Sequence, residues 1–463
     1  MTQEQQLSGV AARIWGEAGG RAGVLDALAT AGPRQVLPAG FDVTGLAAGS
    51  VAAATLAAAE FLGARNEVPP RAVTVDSRDA CAAFAAEALF TPVGWDRPEV
   101  WDPIAGNYQA QDGWIRLHTN YGYHRVAAEK VLGAQDRESV TAAAATWKAA
   151  DLETAVVEAG GCAAAMHTRE EWLAAPAGAR TQAAAPLSIA VSSCQPDACP
   201  PAPRPYSGVR VLDLTRVIAG PVATGFLAAY GANVLRVDPP GFAEVAALLP
   251  VTTEGKRTTA LDLTAADGRA TFESLVATAD VLVTGLRADA LDRLGFGDDV
   301  LASLNPALVI ASLDAYGWDG PWRDRRGFDS LVQMSCGIAA AGAEAAGTAE
   351  GAGQPVPLPV QALDHATGYL LAAAIGRALT RRLAESVASR IRASLIGTAN
   401  LLWSLPKPET RPPRPGPADF TLIDTDTAWG PARRVPLAGA IAGVQPRWEV
   451  KAGPLGRHEP AWS

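Results

Sequence analysis

The stretch Tyr206 to Gly241, YSGVRVLDLTRVIAGPVATGFLAAYGANVLRVDPPG, decides the fold class. Val209-Arg210-Val211-Leu212-Asp213-Leu214 is a short apolar run of the kind that a parallel sheet buries on both faces. Ala219-Gly220-Pro221 makes a turn whose proline suits the first helical position. Val222 to Tyr230 reads as a short apolar helix, which Gly231 can end in the left-handed conformation. Asn233 to Val237 is a second strand, so the stretch is a βαβ unit.

The same alternation runs on. Strands are expected at Thr258 to Leu263, Val281 to Thr284, Leu308 to Leu313 and Arg390 to Leu395, with helices at Asp267 to Ala277 and Ala288 to Leu294. Strands alternating with helices imply a mostly parallel sheet covered on both faces. The fold class is α/β: a nucleotide-fold (Rossmann-like) parallel-sheet domain plus a smaller α/β module. The G-x-G-x-x-G spacing of a dinucleotide site is absent. Asp238 stands where a ribose-binding acid would, but Pro239-Pro240 follow it, which argues against a dehydrogenase.

Going outward, Ser192 to Pro205, SSCQPDACPPAPRP, has the Pro-rich, small and polar composition of an extended linker. It divides the chain into 1–191 and 206–463. The first part holds an Ala-rich helix at Gly45 to Arg65, a strand at Arg71 to Val75, a helix at Asp79 to Phe90 and a small α/β module at about 100–175. The Ala/Gly-rich residues 340–356 are expected to form a mobile loop.

The bulk numbers narrow the function. The 463 residues carry a net charge of -9, which argues against a nucleic-acid partner. No uninterrupted apolar run reaches the length of a membrane span, and the N-terminus lacks the pattern of a secretory signal, so a cytoplasmic location is expected. Cys194 and Cys199 are the one close pair among five scattered cysteines, and no further Cys or His ligands accompany them, so no metal is expected.

One residue stands out for chemistry. Asp364, in Leu363-Asp364-His365-Ala366-Thr367-Gly368, lies where a Pro-rich stretch turns into a long Ala/Leu helix. A carboxylate there can be an N-cap, or a nucleophile held at the helix N-terminus. His365 can serve as a proton-transfer partner or can be a first-turn residue facing solvent. The run Arg323-Asp324-Arg325-Arg326 reads as a solvated turn.

Several short blocks occur together and in order: Gly208 to Val217 (GVRVLDLTRV), Ala219-Gly220-Pro221, Gly231 to Val234 (GANV), Val237 to Gly241 (VDPPG), Gly255-Lys256-Arg257-Thr258, Ala279 to Val283 (ADVLV), Tyr316-Gly317 with Gly320-Pro321, and Gly327-Phe328-Asp329. This pattern resembles the class III CoA-transferases, the family of formyl-CoA, carnitine and bile-acid CoA-transferases together with α-methylacyl-CoA racemase. The resemblance implies that Asp364 is the catalytic nucleophile, with backbone N–H groups near Gly368 stabilising the oxyanion. It implies that coenzyme A is bound as substrate by Ala219, Gly220 and Pro221 and by the cations Lys256, Arg257, Arg287 and Arg293. Where the family usually has an asparagine in the loop after the 281–284 strand, this chain has Thr284 or Gly285.

The first part resembles the same family out of order. Tyr108 to Ile115 (YQAQDGWI) resembles the start of the family's small domain, and Gly160 to Ala164 with Thr168 to Glu171 its end. Gly45 to Phe84 looks like a second copy of the catalytic helix and its following strand, with Gly45 standing where Asp364 stands. The implied function is transfer of CoA from an acyl-CoA to a carboxylic acid through a covalent aspartyl intermediate. The alternatives are epimerisation of a 2-methylacyl-CoA and a catalytically silent CoA-binding protein. Family members form interlocked dimers, whereas this chain, holding both kinds of piece, is expected to be a monomer or a non-interlocked homodimer.

Overall fold

The computed structural model describes residues 3–195, 199–346, 353–409, 413 and 415–463. Its centre is a seven-stranded sheet built from β1 (Leu187–Ser193), β2 (Arg210–Leu214), β3 (Asn233–Asp238), β4 (Lys256–Ala260), β5 (Val281–Thr284), β6 (Val309–Asp314) and β7 (Val387–Ser394). The order is β4-β3-β2-β5-β6-β7-β1. The first six of these run parallel, and β1 closes the edge antiparallel to β7. Leaving β1 aside, this is the doubly wound order, in which the chain reverses its direction of travel between β2 and β5. Val211, Leu212 and Val281 to Val283 are fully buried, as a sheet covered on both faces requires.

Two long helices fill one side: α1 (Val43–Arg65) and, far along the chain, α2 (Ala362–Glu385). Both are Ala-rich, so their backbones pack closely. A Cβ on Gly376 would lie 3.0 Å from the Ala57 Cβ, so a larger residue there would push the helices apart. Glu60 of α1 receives Arg377 of α2 across this contact, and Arg21 at 3.0 Å. Contrary to the reading of the sequence, α1 is long and apolar enough to cross a membrane, but that apolar stretch is wholly buried in the core.

The smaller module spans the expected region. Three antiparallel strands, Gly106–Gln109, Trp114–Leu117 and Ala163–Ala165, pair with one another. Helices Gly122–Leu132, Arg137–Ala144 and Ala149–Glu158 cover them around a core that includes Ile104, Ile115, Leu117 and Leu152.

Three expectations are corrected. The division at 192–205 does not separate two bodies: β1 ends at Ser193 inside the main sheet, and Arg65 of α1 donates to the carbonyls of Pro200, Pro205 and Ser207. The C-terminal region is not confined to the second unit either, because Ala440–Ile441 pairs with the strand Val73–Asp76 of the first part. Residues 340–346 belong to a helix, Ile338–Ala346, rather than a loop, and Val356 returns to bond Ala339. Of the rest of that expected loop, 347–352 lies outside the described residues.

Candidate active site

The turn after β2 is the structural starting point. Val217 has φ +63°, a conformation unfavourable for a β-branched residue, and it needs support from its surroundings. Glu244 supplies it. One carboxylate oxygen accepts the Val217 N–H at 3.3 Å and pairs with Arg236 at 2.9 Å; the other accepts the Tyr121 hydroxyl at 2.6 Å. The smaller module and the main sheet are therefore tied together at this loop.

Loops at the carboxyl ends of β2, β5 and β6 enclose a cavity of about 360 Å³ at the reversal point. Arg216, Val217, Ile218 and Ala219 contribute from the first loop, Gly285, Leu286 and Arg287 from the second, and Asp314 ends β6. Tyr121, Tyr123 and His124 of the smaller module form another wall, joined by Arg325, Arg326 and Phe328. Four arginines thus face one cavity. Asp364 lines it too.

Asp364 lies in the first turn of α2, three residues past the cap, which is Gln361. The cap function falls to Asp329. Its Oδ2 accepts the backbone N–H groups of Leu363 at 2.8 Å and Asp364 at 3.0 Å, and its other oxygen takes the Gln333 amide. Burial pushes the Asp364 carboxyl well above the ordinary carboxylate range, and the charges of Asp329 and then Glu87 push it further. Burial also raises Asp329, to about 6, against the hydrogen bonds it accepts.

Asp364 lines a second cavity as well, of about 390 Å³. Its walls are largely apolar, with Phe84, Val100, Trp101, Leu248, Phe328 and Val360, and Arg97 and Glu87 among the polar residues. Phe328 and the strained Val217 border both cavities, so Asp364 stands at their junction.

The expected site residues fall into two groups. Asp364, Ala219 and Arg287 meet at the first cavity. Arg287 has no ion-pair partner among the described residues. Lys256 does not join them. It opens β4 instead of lying in a loop, its side chain is fully buried, and its ammonium pairs with Asp213 at 3.0 Å and donates to the Pro221 carbonyl at 3.1 Å. Burial pulls Lys256 down to about 8 against the hold of Asp213. Arg257 lies on the outer face and donates to the carbonyls of Ala461 and, at 3.4 Å, Glu459. Arg293 pairs with Asp289 one turn earlier on the exposed surface.

Gly220 and Pro221 act through packing. A Cβ on Gly220 would come within 2.2 Å of the Thr215 Cβ. Gly368 is likewise a spacer: a Cβ there would lie 2.5 Å from the Ala219 carbonyl oxygen. Its N–H sits beyond the first turn of α2, where the helix ladder uses it, so it is not an oxyanion donor. His365 is buried, not solvent-facing. Its Nε2 meets Glu87 at 3.0 Å and its ring stacks on Phe84, in a smaller cavity that Asp364 does not line.

Sequence reasoning missed several residues. Arg325 and Arg326 are not a solvated turn; Arg325 pairs with Glu153 at 2.7 Å and both line the first cavity. Asp314 is raised to about 7 by burial, and its buried Oδ2 has no hydrogen-bond partner among the described residues. Asp329 was present in the Gly327-Phe328-Asp329 block, which was the available signal. Asp238 is engaged by Arg236 at 2.8 Å.

Comparison with known proteins bears on this geometry. Residues 206–413 match the model of CoA-transferase family III. A protein described as "Probable fatty acyl-CoA transferase" from Mycobacterium tuberculosis is 32% identical, over 46% of this chain and 58% of its own length. A succinate–glutarate CoA-transferase of Agrobacterium fabrum is 33% identical over 42% of this chain and 51% of its own. A formyl-CoA:oxalate CoA-transferase of Rhodopseudomonas palustris is 29% identical over 51% and 56%. A crystal structure of a CAIB/BAIF family protein from Brucella suis aligns at TM-score 0.39 with 26% identity, covering 49% of this chain and 65% of that one. The chain spans about half the length of the curated relatives it matches. The match to CoA-transferase family III thus covers residues 206–413, somewhat less than half of the chain.

Proposed function

We propose that this protein moves CoA from an acyl-CoA thioester to a carboxylic acid, with Asp364 as the covalent nucleophile. The observation that carries the reading is the position of Asp364, one carboxylate at the junction of an arginine-lined and an apolar cavity. The arginine-lined cavity suits the phosphates of CoA, because guanidinium forks pair with phosphate oxygens. The apolar cavity suits the acyl group.

The chemistry needs no outside co-reactant. An Asp364 carboxylate oxygen attacks the thioester carbonyl carbon; a C–O bond forms, the C–S bond breaks, and the sulfur leaves as thiolate. The thiolate attacks the Asp364 carbonyl of the resulting anhydride, releasing the first acid and leaving an aspartyl-CoA thioester. The second acid reverses both steps and takes the CoA. Splitting one exchange this way lowers each barrier. The raised affinity of Asp364 for a proton makes its carboxylate a stronger nucleophile once ionised. In this reading Arg287 and Arg326 hold CoA, while Lys256 supports the sheet beneath it.

Intact-protein mass spectrometry after incubation with a panel of acyl-CoAs, with hydroxylamine added to half of each sample, tests the reading. A hydroxylamine-sensitive adduct on Asp364 is expected. No adduct with any donor overturns it; α-proton exchange with deuterated solvent in the same samples would then indicate epimerisation, and its absence a silent binder.

A further inference from the structure

A third cavity, of about 240 Å³, lies where three parts of the chain meet. The smaller module contributes Asn107 and Arg116, and the helix Asp329–Ser335 contributes Ser330 and Gln333. Residues 355–361, which lead into α2, supply the remaining wall. Asp364 does not line this cavity. Arg116, on the strand Trp114–Leu117, donates through Nη1 to Asn107 Oδ1 at 2.9 Å and lies 5.0 Å from the centre of the Trp101 ring. Among the described residues its buried Nε has no hydrogen-bond partner, and no carboxylate forms an ion pair with it. The buried Ser330 hydroxyl has no partner among them either. Gln333, by contrast, is used at both ends: its amide N–H donates to Asp329, and its carbonyl accepts the Leu358 N–H at 2.8 Å. Orphaned buried polar atoms are rare, and each costs stability while it stays unmet. Burial works against the Arg116 charge, which Asp329 supports and Arg137 opposes.

A buried cation and a hydroxyl with no anion between them define what the cavity lacks. The second edge of the guanidinium, Nε with Nη2, presents two parallel N–H groups at the spacing of carboxylate oxygens. The Ser330 hydroxyl adds a third donor. Water meets such hydrogen bonds but not the charge. A spherical halide cannot use both N–H groups of the edge, and a phosphate would turn unmet oxygens toward Met334, Ala339, Pro357 and Leu358. Those apolar walls suit a short alkyl tail. We propose that this cavity binds a short-chain monocarboxylate as an effector, its head group on the Arg116 Nε edge and the Ser330 hydroxyl, its tail against Met334 and Leu358. The ligand is held and not exchanged, and no covalent bond forms or breaks. Its charge-assisted hydrogen bonds offset its desolvation. Because the walls come from three parts of the chain, the bound ion pins the smaller module to the helix Asp329–Ser335 and to the segment that enters α2. The site does not depend on the CoA-transfer reading.

Acetate, propionate and butyrate are titrated calorimetrically into the full chain at fixed ionic strength, beside chloride, nitrate, phosphate and neutral propionamide. Propionate should bind more tightly than any of the inorganic ions, and at saturation it should raise the Tm. Arg116→Met should weaken propionate roughly 10- to 100-fold and abolish the rise in Tm. Ser330→Ala should remove part of the affinity, and Asp364→Asn should leave it unchanged. No binding of any ion overturns the inference, as does propionamide binding as well as propionate. Chloride, nitrate or phosphate binding as tightly as propionate overturns the carboxylate assignment in favour of an inorganic ion. Affinity that survives Arg116→Met and is lost in Asp364→Asn places the ion at Asp364 and overturns the site. If circular dichroism shows Arg116→Met misfolded, Ser330→Ala and Arg116→Lys, which keeps the charge without the fork, carry the same comparison. Arg116-dependent propionate binding without transfer from any acyl-CoA would overturn the activity and leave this site standing. Transfer activity with no ion bound through Arg116 would do the reverse.

Discussion

Asp329 Oδ2 accepts the backbone N–H of Asp364 at 3.0 Å, so one carboxylate caps the helix whose first turn carries another. The cap fixes the backbone under Asp364, and its charge raises the cost of ionising the Asp364 side chain. The same residue thus fixes the position of Asp364 and adds to the proton affinity that burial gives it.

The first prediction follows from that coupling. Asp364 has a folded-state proton affinity above its unfolded value near 3.8, so the folded state binds its proton more tightly. Stability from this group is full below the unfolded value and is lost as pH rises through the folded one. Asp364→Asn removes the loss. Thermal unfolding should show the variant gaining on the parent as pH rises from 4 to 8, by on the order of a degree or more. Transfer activity should vanish in the same variant, and in the parent it should climb with pH as the carboxylate forms.

Lys256 and Arg287 should separate structure from binding. Lys256→Met strands the buried Asp213 carboxylate, which should cost about 3–5 kcal/mol in urea unfolding. Arg287 faces a cavity and has no ion pair to break among the described residues, so the unfolding free energy of Arg287→Ala should stay within about 0.5 kcal/mol of the parent. Its dissociation constant for CoA should rise roughly tenfold. Equal CoA affinity in Arg287→Ala would remove that residue from the site.

Gly368→Ala should be costly for one methyl group. The added Cβ meets the Ala219 carbonyl oxygen at 2.5 Å and Val222 at 2.8 Å, so the cavity wall must retreat. A loss of about 1–3 kcal/mol is expected from overpacking, with a fall in transfer rate beyond what unfolding explains. Ala372→Gly, in the same helix and away from that contact, serves as the control.

Solution mass offers a fourth check. Because one chain supplies both the Asp364 helix and the module carrying Tyr121 and His124, light scattering should report a monomer or a readily dissociated dimer. A dimer that resists dilution to nanomolar concentration would argue for interlocked chains.

The parallel sheet was legible because runs such as Val281 to Thr284 are apolar, short and bounded by turn residues. The start of the helix that carries Asp364 was legible from the change in composition there. What stayed hidden depends on contacts distant in sequence. Lys256 in Gly-Lys-Arg reads as an exposed cation until Asp213, 43 positions earlier, is seen beside it. Arg325 reads as solvated until Glu153, 172 positions away, accepts it. His365 reads as a surface residue until Glu87 is placed opposite, 278 positions earlier. Local pattern reports how a segment folds; it does not report which segment covers it.

The buried contact between Val43–Arg65 and Ala362–Glu385 also has a genetic consequence. A gene fragment beginning at residue 206 would encode Asp364 and expose the helix that carries it, without the wall formed by Tyr121 and His124. A fragment ending at 191 would encode that wall without Asp364. Each should be inactive and poorly soluble alone, and only their co-expression could restore a site, so damage to the two ends of this gene should complement in trans.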